Sequence, residues 1–218
     1  ARPVEPGLDV EVEVPDADAR WVVEHRRVPA AVPWLCLGAI ALTYVNIGAY
    51  WTYIELATAR AGLQAAWVSS VLVWVSFMSI LGCLLATLIS NRYGLARPLL
   101  VTLFLHAGIV GMLAFRISNL TFLISVYTFN FLWIFIDVYQ MATVANVDHS
   151  GRFSSLLPAA QGLGQIVGPN LAASALALGN GYDAVFQFCA AASLGACAIY
   201  AGLYLRLRRT IPALADAA

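Results

Sequence analysis

The chain has 218 residues, of which 61% are hydrophobic and only 11% are charged, and its 12 basic and 12 acidic residues leave no net charge. A disordered chain combines low hydrophobicity with high charge, a nucleic-acid-binding domain needs an excess of basic residues, and a disulfide scaffold of this length needs more than four cysteines. The composition excludes these classes and indicates a membrane protein, in which long apolar runs form spanning helices.

The first 29 residues differ from the rest of the chain, because they hold seven acidic residues and four prolines. We interpret residues 1–29 as an acidic linker, with a short strand over Val10 to Val14 as the alternative. The segment lacks the basic start and apolar stretch of a signal peptide. Since the chain begins with Ala rather than Met, we expect it to be part of a longer or processed protein.

Six long segments that are almost free of charge follow the linker. At about 1.5 Å of helix per residue, each is long enough to cross the roughly 30 Å hydrocarbon core. None alternates as the strands of a membrane β-barrel do. The sequence therefore predicts an all-α bundle of six transmembrane helices over residues 30–209 and a cytoplasmic tail at 210–218. The predicted spans are Pro33 to Ala57, Ala65 to Ser90, Pro98 to Phe115, Leu120 to Val144, Ser154 to Leu178 and Ala184 to Leu205.

The arginines predict the orientation of these spans. With six spans both termini lie on one side of the membrane, and that side collects ten of the twelve arginines, whereas the other side has only Arg60 and Arg116. Because cytoplasmic loops carry the excess of basic residues, we expect both termini in the cytoplasm of a bacterial-type inner membrane.

The fourth predicted span carries a polar and aromatic stripe. Its members recur at steps of three and four residues and so share one helix face: Tyr127, Asn130, Trp133, Asp137 and Gln140. An ionisable residue inside a span is a functional candidate, and aromatic and amide groups suit a small solute. We expect Asp137 to couple transport to protons; the alternative is that it only bonds neighbouring helices.

Other spans supply further candidates for a solute site. The first carries a similar stripe of Thr43, Asn46, Tyr50 and Tyr53, and the fifth carries Gln161 and Gln165 one turn apart. The predicted solute-binding set is Asn46, Tyr50, Tyr127, Asn130, Trp133, Gln140, Gln161 and Gln165.

The fifth span also predicts a close helix contact. Gly164, Gly168 and Ala172 are spaced by four residues, and small residues at this interval let helix backbones approach each other. Pro169 removes a backbone hydrogen bond and favours a bend.

The remaining ionisable and sulfur-containing residues predict no catalytic or metal site. His106 lies alone on an apolar helix, and we expect a neighbouring hydroxyl to satisfy it. Glu55 lies near the outer boundary, where we expect it to be exposed or locally paired. The four cysteines form no CxxC pair and lie away from histidine at ligand spacing, so we expect no metal and no cofactor. Without an HExxH or GxSxG motif, an enzyme is the least favoured function.

The link after the second span reads Thr87-Leu-Ile-Ser-Asn91-Arg92-Tyr93-Gly94-Leu95-Ala96-Arg97. It resembles the loop signature G-x-x-x-D-R-x-G-R-R of the major facilitator superfamily of transporters. Arg92 and Gly94 match, Asn91 replaces the Asp, and Arg97 comes one place late. Gly168-Pro169 resembles the glycine-proline motif of that family's eleventh helix. Over roughly residues 20–209 the chain is thus similar to the carboxyl-terminal six-helix half of such a transporter.

The resemblance implies a function and partners. Each half of the family's twelve-helix fold contains two inverted three-helix repeats. The first and fourth spans here would line the cavity, the second and fifth would contact the amino-terminal half, and the third and sixth would face lipid. The implied function is proton-coupled secondary transport of a small organic solute by alternating access. The implied partners are the amino-terminal six-helix half, lipid, the solute and protons, and no nucleic acid. The alternative is a scaffold or receptor without transport.

Overall fold

The structure is a computed structural model that describes residue 29 and residues 31–89, 93–148 and 150–210, with side chains up to residue 207. Most of the predicted acidic linker and tail, and the loop residues Asn91 and Arg92, lie outside the described residues. The described residues contain helices and no strand. The helices are α1 (Ala31–Arg60), α2 (Ala65–Trp74), α3 (Ser76–Ile89), α4 (Ala96–Phe115), α5 (Asn119–Val147), α6 (Arg152–Ser155), α7 (Leu157–Ala177) and α8 (Tyr182–Thr210).

All six predicted spans coincide with helical segments, and five of these are long and apolar enough to cross a membrane. These five are α1, α2 with α3, α4, α5 and α8. The helix at the fifth predicted span, α7, has 21 residues, which is long enough at about 1.5 Å per residue. It is less apolar because it contains Gln161, Gln165 and Asn170. The chain is therefore a helical protein of multi-pass membrane character.

The second predicted span is not a single uninterrupted helix. It breaks at Val75, between α2 and α3. The Met78 amide donates to the Val75 carbonyl oxygen at 3.0 Å, which is the tighter i to i+3 bond of a 3₁₀ turn. Asn130 Nδ2 of α5 donates to the same oxygen at 2.9 Å. A side chain from another helix thus stabilises the break, which is why the apolar pattern of this span alone does not predict it.

The packing has α1 at its centre, against α7, α8 and α5. Helix α4 packs between α8 and α5, and α3 packs against α5. If the first span is exchanged with the fourth, the second with the fifth and the third with the sixth, the α1–α7 contact becomes the α5–α3 contact and the α1–α8 contact becomes the α5–α4 contact. The α4–α8 and α1–α5 contacts stay the same, so this exchange leaves the pattern of main helix contacts unchanged.

The small residues of α7 lie against α1. A Cβ on Gly168 would meet the Val45 backbone, with its oxygen closest and its carbonyl carbon at 2.9 Å. A Cβ on Gly164 would meet the Ala41 carbonyl oxygen and the Tyr44 Cβ. Likewise, Gly82 of α3 leaves no room for a Cβ against the Phe131 carbonyl of α5.

The glycines Gly82, Gly164 and Gly168 therefore pack inside the bundle. The outward faces of the second and fifth spans carry large apolar side chains, which include Ile80, Leu84, Leu88, Leu163 and Ile166. Contact of these spans with an amino-terminal half stays a prediction.

Candidate functional site

Asp137 of α5 is held between two other helices. The Tyr44 hydroxyl of α1 donates to Asp137 Oδ1 at 2.9 Å, and Gln161 Nε2 of α7 donates to the same oxygen at 3.1 Å. Asp137 is half-buried, and its other oxygen, Oδ2, accepts no hydrogen bond and keeps some exposed surface. One oxygen of the carboxylate is therefore fixed and the other is open.

The groups around this carboxylate are neutral and largely aromatic. Trp133 lies one turn earlier on α5, within range of the Tyr44 hydroxyl, although its buried indole N–H makes no hydrogen bond of good geometry. Tyr200 of α8 is buried and lies within electrostatic range of Asp137. No arginine among the described residues forms an ion pair with Asp137. The negative charge thus has hydrogen-bond donors but no counter-charge in the described part of the chain.

The other polar residues of the α5 stripe bond to neighbouring helices. Asn130 is buried, and its Nδ2 donates to the Val75 carbonyl oxygen and to Ser79 Oγ. Gln140 is buried, and its Nε2 donates to Thr43 Oγ1 at 2.9 Å. Tyr127 is half-buried and packs against the apolar core. The stripe therefore lies on one helix face, as predicted, but its amides serve contacts between helices.

The predicted stripe of α1 lies within the core. Asn46 is fully buried; its Nδ2 donates to Ser193 Oγ at 2.7 Å and contacts His106 Nδ1 at 3.2 Å. Tyr50 is also fully buried: its hydroxyl pairs with Ser125 Oγ at 2.9 Å and its ring stacks on Phe129 with centroids 3.8 Å apart. Neither residue borders an open surface in this conformation.

The buried Asn46, His106 and Ser193 join α1, α4 and α8. His106 Nδ1 lies 3.2 Å from Ser193 Oγ, so a neighbouring hydroxyl partners one nitrogen of this histidine, as expected. A serine beside a histidine is also the arrangement of a nucleophile and its base. Ser193 and His106 have no exposed surface, so a substrate has no route to them in this conformation. His106 Nε2 and Asn46 Oδ1 are buried without a partner.

The other predicted residues lie around this core. Gln165 of α7 is exposed, and its backbone lies 2.9 Å from the position that a Cβ on Gly48 would take. The Tyr53 hydroxyl donates to the Pro169 carbonyl oxygen at 3.3 Å. In the link before α4, Gly94 has a left-handed φ of 67°, and Arg97 is exposed in the first turn of α4. Glu55 is exposed.

No metal site is found where the structure describes the chain, since no three His, Cys, Asp or Glu residues lie close enough together to hold an ion. All four cysteines are free thiols.

Outside the predicted spans, Asp148 organises the link between α5 and α7. Its Oδ1 accepts from the Ser150 amide at 3.1 Å, and its Oδ2 accepts from the Ser154 amide at 2.7 Å. Partial desolvation opposes ionisation, but the hydrogen bonds from Ser154 and Ser150 outweigh it and lower the pKa of Asp148 to about 2. Asp148 is thus an ionised cap for the short helix α6.

Sequence reasoning overlooked Tyr44 and Ser193. Tyr44 lies beside the predicted stripe of α1 and on the face that meets α7. Gly48, one turn later on that face, was the available signal, because the glycines of α7 need a partner helix that also allows close approach. Ser193 carries no comparable signal in an apolar helix.

Comparison with protein-family models, curated proteins and solved structures finds no match to this chain. A half-buried carboxylate without a counter-charge costs free energy in a membrane, and the uptake of a proton or the binding of a cation removes that cost.

Proposed function

We propose that this chain is one six-helix half of a secondary transporter of the major facilitator type, which moves a small organic solute by alternating access. In this proposal it lies in a bacterial-type inner membrane with both termini in the cytoplasm, and an amino-terminal six-helix half completes the cavity.

The observation that carries the proposal is the placement of Asp137. Its carboxylate takes hydrogen bonds from α1 and α7 while lying on α5, so it joins three helices of the bundle. A proton taken up at the open Oδ2 neutralises the group and lowers its cost in the membrane. Binding and release of that proton therefore change the stability of the arrangement that these helices form.

The packing supports the three-plus-three architecture of the proposal. The main helix contacts fall into two sets that exchange when the first three spans replace the last three, as expected for two inverted repeats around a midplane site. The arginine distribution supports cytoplasmic termini.

Solute and proton flux in proteoliposomes test the proposed function. The full-length protein is reconstituted, a pH gradient is imposed and candidate solutes are added. Solute uptake is measured, and the proton flux that accompanies it is followed with a pH-sensitive dye inside the vesicles. Asp137→Asn keeps the size of the side chain and removes its charge, and we expect it to abolish gradient-driven transport.

Asp183→Asn is the matched control, because Asp183 is exposed in the first turn of α8. We expect this variant to transport like the parent. Full coupled transport by the Asp137→Asn variant would refute the role of Asp137.

A further inference from the structure

We infer that the Asp137 site takes an organic cation, an ammonium group that carries an aromatic or aliphatic body. This inference rests on the proposed function and names its substrate class. It follows from which polar groups are already occupied and which one remains open.

Most of the amide nitrogens that would recognise a polyhydroxylated solute already donate within the protein, and the exposed Gln165 is the exception among the predicted residues. The side-chain amide nitrogens of Asn46, Asn130 and Gln140 each donate to another helix, and all three residues are buried. Gln161 donates to Asp137. A sugar needs several free donors and acceptors, because unpaired polar groups are costly when buried. Among the predicted residues at the α1–α5–α7 junction, Asp137 Oδ2 is the open polar atom that carries a negative charge.

That atom favours a positive ligand. Asp137 is the only acidic residue deep within a described span, and no described arginine pairs with it. An ammonium N–H that donates to Oδ2 forms a charge-assisted hydrogen bond, which is stronger than a neutral one. An anion at the same place would be repelled.

The surroundings favour an organic cation over a metal ion. A hard cation such as Ca²⁺ takes six to eight oxygen ligands, whereas the residues bonded to Asp137 add only the Tyr44 hydroxyl, which already donates, and the Gln161 amide oxygen. Trp133 lies one turn before Asp137 and within range of the Tyr44 hydroxyl, and Tyr200 lies within electrostatic range of the carboxylate. Aromatic rings attract organic cations. Aromatic rings also provide apolar surface for the body of the ligand.

Three probes that share one ring and differ in charge test this inference: phenethylammonium, neutral 2-phenylethanol and anionic 3-phenylpropionate. Their binding to the full-length protein in nanodiscs is measured by titration calorimetry. We expect phenethylammonium to bind most tightly and 3-phenylpropionate most weakly. Asp137→Asn should weaken phenethylammonium binding by about tenfold or more and remove the preference for the cation. Asp137→Glu should keep that preference, and Asp183→Asn should change nothing.

Several results would overturn the inference: equal binding of the neutral and cationic probes, an unchanged preference in the Asp137→Asn variant, or no binding of any probe. Uptake measured in the same protein separates this failure from that of the proposed function. If phenethylammonium binds at Asp137 but is not transported, the proposed transport is refuted and the cation site stands. If a neutral solute is transported and the protein shows no preference for the cation, the cation site is refuted and the proposed transport stands.

Discussion

Gly168 is the position at which a single methyl group should separate α1 from α7. A Cβ there would lie 2.9 Å from the Val45 carbonyl carbon and 3.0 Å from its Cα, with the carbonyl oxygen closer still. These are backbone atoms of a helix, which cannot rotate away as the end of a side chain can. The substitution Gly168→Ala must therefore move one helix relative to the other.

Gly162 provides the matched control because it lies on the same helix and a Cβ there would have no atom within 4 Å. Both substitutions gain the helix propensity of Ala over Gly, about 1 kcal/mol. Only Gly168→Ala adds overpacking, which costs about 1–3 kcal/mol, and it also places a Cβ directly before Pro169, where the proline ring disfavours the helical conformation. Both effects lower stability, so Gly168→Ala should be less stable than Gly162→Ala by at least about 1 kcal/mol.

Unfolding by SDS in mixed micelles, followed by tryptophan fluorescence, measures the free energy of unfolding of both variants. We expect Gly162→Ala to be at least as stable as the parent. Equal stability of the two variants would refute the close packing of α7 on the Val45 backbone.

Two further experiments test other parts of the structure. Asn130→Leu removes the donor to the Val75 carbonyl and should lower the free energy of unfolding by about 1 kcal/mol and speed hydrogen exchange at the α2–α3 break. Ser79→Ala leaves that bond in place and should have a smaller effect on both quantities. Equal hydrogen exchange in the two variants would contradict the role of Asn130. Because the pKa of Asp148 is lowered from 3.8 to about 2 in the folded chain, its carboxylate stabilises the fold fully above about pH 4 and loses this effect as the pH falls toward 2. The stability difference between the parent and Asp148→Asn, measured by thermal unfolding across this range, should shrink toward pH 2, and a constant difference would contradict the cap.

The positions of the helices could be predicted from the sequence because uncharged segments of this length have few alternatives. Their ends could not be placed as well, because they depend on local hydrogen bonds. Helix α5 begins at Asn119 because the side chains of Ser118 and Thr121 cap each other's backbone amides. The break at Val75 depends on a donor 55 residues away along the chain.

The candidate site could be predicted only in part. The spacing along α5 correctly placed Asp137 and Trp133 on one face, because helical periodicity is a local property. Whether an amide faces a cavity or another helix depends on its partner, and a single sequence does not contain that pairing. Asn46 illustrates this, since its partners His106 and Ser193 come from two distant helices.

Alternating access requires the Asp137 site to open in turn to each side of the membrane, and thiol accessibility tests this opening most directly. Gln161, which contacts Asp137, is replaced by Cys in a full-length protein whose native cysteines are changed to Ala. A membrane-impermeant thiol reagent is then added to either side of proteoliposomes under opposite pH gradients. We predict that position 161 reacts from both sides and that reversing the gradient changes which side reacts faster. Reaction from one side only, under every gradient, would contradict alternating access and indicate a static cleft.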